Sequence, residues 1–196
     1  MLKTLIGSAL IMVLASNAFA DCRDLDADAK DSLIDKNLEN QLYQNFACFD
    51  DPNNVDTACN YFVGKSLNDF YSTPDFFDSA TGTYMNSKTM KEFLHGDGAQ
   101  KGWRKIGKAD NQADHQSAAD SAKAKKPTIA IWHEGGDTGH VALVLPGELR
   151  ASGFGFKVAR IAQTRLGKIK GSFIGCRLSA GFGPGKKAQV EFFTKD

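Results

Sequence analysis

The run from residue 128 to residue 145 sets the strictest limit on what this chain can fold into. Thr128-Ile129-Ala130-Ile131-Trp132 is a β-rich segment, Gly135-Gly136-Asp137-Thr138-Gly139 is a turn, and His140-Val141-Ala142-Leu143-Val144-Leu145 is a second strand that Pro146-Gly147 ends. The second strand is apolar on both faces, which places it centrally in a sheet. Lys157 to Gln163, Gly171 to Leu178 and Gln189 to Phe193 supply three more strands between glycine-rich connections. Helical spacing comes first. Ile34, Leu38, Leu42 and Phe46 recur every fourth residue, with Tyr43 alongside, and Phe62, Val63, Ser66, Leu67 and Phe70 bury one face of a second helix. Ser87 to Leu94 reads as a short helix with Met90, Phe93 and Leu94 inward. Ala109 to Lys125 reads as a helix of small residues that Pro127 stops. Helices followed by an antiparallel sheet of about five strands make an α+β fold.

Residues 1–20 stand apart. Lys3, an apolar run from Leu5 to Leu14, and Ala18 and Ala20 with one residue between them form a secretory signal peptide cleaved before Asp21. Residues 21–196 are then a single domain with an N-terminal helical segment over 21–55. Asp21 precedes Cys22, so no lipid-attachment cysteine follows the cleavage site, and no later run is long enough for a membrane anchor. The chain carries 24 Lys and Arg against 23 Asp and Glu, a balance that gives no general pull toward nucleic acid. In an exported protein its four cysteines invite pairing. A Cys22–Cys48 bridge would pin the N-terminal segment and leave Cys59 and Cys176 free; the alternative bridges Cys59 to Cys48 or Cys176.

If Cys59 is free, its position matters. Asp56 or Thr57 can cap the helix that follows, which puts the thiol in the first turn, where unpaired N–H groups and the positive end of the helix dipole favour a thiolate. A cysteine nucleophile needs a base and a third group to orient that base. His140, fixed at a strand start behind Gly139, is the preferred base, with His133 the competitor; His95, beside Gly-Asp-Gly, reads as a solvated loop residue. Gln163 is a polar residue in an otherwise apolar strand and the first candidate for the third role, ahead of Glu148 and Ser152. The Cys59 backbone N–H, with Asn60 as a possible helper, would face an oxyanion. The irregular, glycine-rich stretch from Ser72 to Gly107, where Trp103 and Ile106 resume burial, is the place for substrate contacts. His133, Glu134 and His140 lack the helical HExxH spacing of a zinc site, so neither metal nor cofactor is expected.

Cys59-Asn60-Tyr61-Phe62-Val63 opening a helix and Gly139-His140-Val141-Ala142-Leu143-Val144 opening a strand resemble the two signature blocks of the CHAP and NlpC-type cell-wall amidases and peptidases. The resemblance covers Asp56 to Thr164. It implies a permuted papain-like fold, a triad of Cys59, His140 and Gln163, and hydrolysis of an amide in peptidoglycan. The bond would join muramic acid to L-alanine or lie within the stem peptide. An immunity or inhibitor protein is a further partner that such an exported enzyme, if delivered against a competitor, would call for. Two other classes fit the same residues: a cysteine peptidase or transglutaminase-like enzyme acting on protein, and a non-catalytic binding domain stapled by disulfides.

Overall fold

The structure is a computed structural model that describes residues 35–47, 59–136, 138–165 and 172–196. Residues 1–20, read as a signal peptide, Cys22, Cys48, Ile34, the side chain of Phe46 and the expected capping residues Asp56 and Thr57 lie outside the described residues. The described residues form an α+β fold of five helices, a six-stranded antiparallel sheet and a separate two-stranded hairpin.

The chain runs through helix α1 (Lys36–Ala47), helix α2 (Cys59–Tyr71), the hairpin β1 (Phe77–Asp78) and β2 (Thr83–Tyr84), and helix α3 (Ser87–His95). Strand β3 (Trp103–Lys108), helix α4 (Gln112–Lys123) and strands β4 (Thr128–Gly135), β5 (Thr138–Arg150), β6 (Val158–Gln163) and β7 (Phe173–Arg177) follow. Short helix α5 (Leu178–Gly181) and strand β8 (Glu191–Lys195) complete it. The sheet order is β3-β8-β4-β5-β6-β7.

Period-two alternation along β4 and β5 divides the core into two layers. Ile129, Ile131, Val141, Leu143 and Leu145 pack with Leu38 and Leu42 of α1, Phe62, Val63 and Leu67 of α2, and Met90 and Leu94 of α3. Ala130, Trp132, Ala142 and Val144 pack with Ala118 and Ala122 of α4 and Leu178 of α5. Helices therefore cover both faces of the sheet. The small side chains of α4 are what let it lie close.

Three local features depart from the sequence reading. A sixth strand, β3, pairs with β8 inside the stretch read as irregular. It is an edge strand in which only Trp103 is fully buried and the pairing slips between Lys105 and Gly107, so alternation does not reveal it. Pro146-Gly147 does not end β5, which continues to Arg150 across a register shift against β6 that accommodates the proline. His95 is the last residue of α3 rather than a loop residue, and its Nε2 lies 2.8 Å from Glu191 Oε2.

Candidate active site

Helix α2 carries Cys59 at its first described residue, 9% exposed. Phe62, Val63 and Leu67 hold this end of the helix against the sheet face that Val141 lines. Strand β5 delivers His140 opposite Trp132 of β4, and β6 delivers Gln163 two residues beyond Ile161 on the neighbouring strand. The sequence thus brings together Cys59, His140 and Gln163 from a helix and two adjacent strands.

His140 Nε2 lies 2.6 Å from Gln163 Oε1. An amide oxygen only accepts, so Nε2 carries the proton and Nδ1 is left for the thiol. Burial opposes ionisation of Cys59 most strongly. The hydrogen bond and charge of His140, followed by the backbone N–H groups of Val141 and Asn60, overcome it and hold the thiol below its ordinary value. Burial likewise pushes His140 down, but the thiol's hydrogen bond and charge, then Gln163, lift it above the ordinary value against the opposing charge of Arg165. The two shifts have one physical source: each group favours the charged form of the other.

Gln163 is buried and cannot drift. Any Cβ on Gly181 would come within 2.1 Å of Gln163 Oε1, so a glycine at that position of α5 is what lets the amide reach the ring. The next residue, Phe182, lays its ring against His140 with centroids 4.9 Å apart. Neither neighbour was singled out by sequence, because Gly181-Phe182-Gly183-Pro184-Gly185 reads as a glycine-rich connection. An aromatic residue between glycines was the signal available.

The remaining candidates fall elsewhere. Glu148 is exposed on the far reach of β5, where it lines an open cavity of about 530 Å³ with Gln112, Gln116 and Leu149. Ser152 closes a turn, donating to Phe156 O at 2.6 Å and accepting from Phe154 N. The Asn60 side-chain amide is engaged by backbone carbonyls. Its Nδ2 donates to Met85 O at 3.0 Å and so ties α2 to the chain leaving β2. His133 pairs with Gly139, one step along the hairpin from His140, and its Nδ1 is enclosed without a hydrogen bond.

Cys59 is the free cysteine among the described residues, whereas Cys176 on β7 is disulfide-bonded. This corrects the pairing that left Cys176 free. Spacing along a chain does not encode which cysteines approach in space. The partner of Cys176 lies outside the described residues. No family model matches this chain, and no curated protein matches it either.

Proposed function

We propose that the protein is an exported peptidoglycan hydrolase that cleaves an amide bond by a cysteine–histidine mechanism, on a papain-like arrangement of helix and sheet. The observation that carries this reading is the free, buried Cys59, whose ionisation His140 favours, with the other nitrogen of His140 fixed by Gln163. A purely structural cysteine has no use for an oriented base. The resemblance of residues 59–63 and 139–144 to the cell-wall amidase blocks supplies the substrate class.

The reaction follows from the arrangement. The Cys59 thiolate adds to the amide carbonyl carbon, forming a C–S bond and placing negative charge on the carbonyl oxygen near the Cys59 backbone N–H. As the tetrahedral species collapses, the C–N bond breaks and His140 gives its proton to the departing amine. Water then attacks the thioester while His140 takes a proton from it. The C–S bond breaks, the acid leaves, and thiolate and imidazolium are restored. No cofactor enters.

Digestion of purified peptidoglycan beside a Cys59→Ala variant tests this, with mass analysis of the soluble fragments. Fragments that require Cys59 are expected, with activity falling by on the order of 10⁴-fold or more in the variant. Equal release by both proteins, or none from the folded parent, overturns the reading.

A further inference from the structure

The outer flank of α2, starting two residues past Cys59, carries a tier of three aromatic rings. Tyr61 and Tyr84 meet edge to face with centroids 5.1 Å apart, and Tyr84 meets Phe77 at 5.2 Å. Phe77, at the outer end, is 40% exposed; among the described residues only it and Tyr43 are large hydrophobic side chains left in solvent. The tier is rigidly seated. Tyr84 Cδ1 lies 2.3 Å from where a Cβ on Gly64 would stand, so the ring rests on bare helix backbone, and Asn60 holds the Met85 carbonyl below it. Its rim is polar. Thr81 and Thr83 bring their hydroxyl oxygens within 2.8 Å of each other, and Thr81 donates to Asp78 at 3.0 Å.

Flat rings edged by hydroxyls and a carboxylate match one class of ligand. The C–H face of a pyranose packs against the electron-rich face of an aromatic ring, while its hydroxyls seek polar partners at the margin. A pocket for an apolar peptide side chain would instead be concave and closed. We propose that Tyr61, Tyr84 and Phe77 form a saccharide subsite that seats the glycan strand, and that the bond presented to Cys59 is the amide next to the sugar, between muramic acid and L-alanine. This rests on the peptidoglycan reading and selects one of the two bonds that reading allows.

The test separates binding from catalysis. The protein carrying Cys59→Ala is titrated with tetra-N-acetylglucosamine by calorimetry. Saturable binding is expected, weakened about tenfold by Phe77→Ala and restored by Phe77→Trp, with thermal melts confirming that each variant is folded. In the active protein, Phe77→Ala raises KM on peptidoglycan about tenfold with a smaller change in kcat. The released peptides begin with a free L-alanine amino group.

No binding, or equal binding by the Phe77→Ala variant, overturns the subsite, and cuts confined to the stem peptide overturn the bond assignment. If Cys59-dependent fragments still appear at an unchanged KM in Phe77→Ala, the subsite falls and the hydrolase reading stands. If Phe77-dependent binding occurs with no Cys59-dependent fragments, the hydrolase reading falls and the saccharide surface stands.

Discussion

His140 and His115 are both engaged at both ring nitrogens, one where α2 meets β5 and the other between α4 and β6. His115 is completely buried, its Nε2 donating to Ala109 O at 3.1 Å and its Nδ1 accepting from Ala159 N at 3.1 Å. Both rings also touch phenylalanines, His140 against Phe182 and His115 against Phe192. Their titration nevertheless runs in opposite directions. Burial lowers His115 to about 4, with only a backbone carbonyl and Asp114 opposing. His140 is raised, because one of its partners is a thiol that can carry the compensating charge. Burial by itself makes a histidine a neutral girder; a charged partner inside the same enclosure makes it an acid.

The largest effect expected from breaking this contrast is at the charged ring. His140→Ala removes both the thiol's counter-charge and the proton for the leaving amine, so kcat should fall by about 10³- to 10⁴-fold with the fold retained by circular dichroism. A variant with parental turnover would mean that another base, such as His133, serves Cys59.

At the neutral ring the cost appears as stability. The folded-state value of His115 is about 4, below its ordinary 6.5, so the unfolded chain binds the proton first as pH falls. Stability is therefore full above pH 6.5 and is lost as pH drops toward 4, by roughly 3 kcal/mol at most. Urea unfolding at pH 7, 5.5 and 4.5 measures the slope. His115→Gln should lower stability at pH 7 and flatten this part of the slope; an unchanged slope would place the acid sensitivity elsewhere.

Gly181→Ala acts on the charged ring from a distance. Its methyl group would collide with Gln163 Oε1, and displacing the amide tilts the base, which should cost about 10²-fold in kcat/KM. Gln163→Ala should match it, and the double variant should lose little more than either alone. Full additivity would show that α5 contributes something other than room for the amide.

The smallest effect is a movement of the pH profile. The pairing shifts the Cys59 thiol down and the His140 imidazole up, so kcat/KM should be bell-shaped, with these two groups setting its limbs. In Gln163→Glu a carboxylate faces Nε2 and favours the imidazolium, which should move the alkaline limb up by about one pH unit. A stationary limb would detach it from His140.

Much of this was legible in the chain because apolar pattern and its exceptions carry it. Leu38 and Leu42, the Cys59 helix, the 128–145 hairpin and the strands around 160, 175 and 192 follow from periodicity. Gln163 stood out as polar among apolar neighbours. What stayed hidden had no pattern to carry it. Strand β3 buries one large ring fully and slips its register, Pro146 interrupts a strand without ending it, and Gly181 matters for an atom it lacks. Asn60 looked available to an oxyanion, yet its amide serves the Met85 carbonyl because the hairpin folds back across α2. The disulfide at Cys176 is a property of distance through space.

The bare backbone at Gly64 has a consequence for how the molecule opens. A glycine inside a helix weakens it by about 1 kcal/mol relative to alanine, and here the deficit is covered by the Tyr84 ring lying on it. Alanine would strengthen the isolated helix and evict the ring. When the short β1–β2 hairpin lifts away, the helix loses its cover at its weakest link, so the two should open together as one cooperative unit. Amide exchange around residue 64 should then keep step with exchange at residues 77–84, and each such excursion would also loosen the turn that holds the nucleophile.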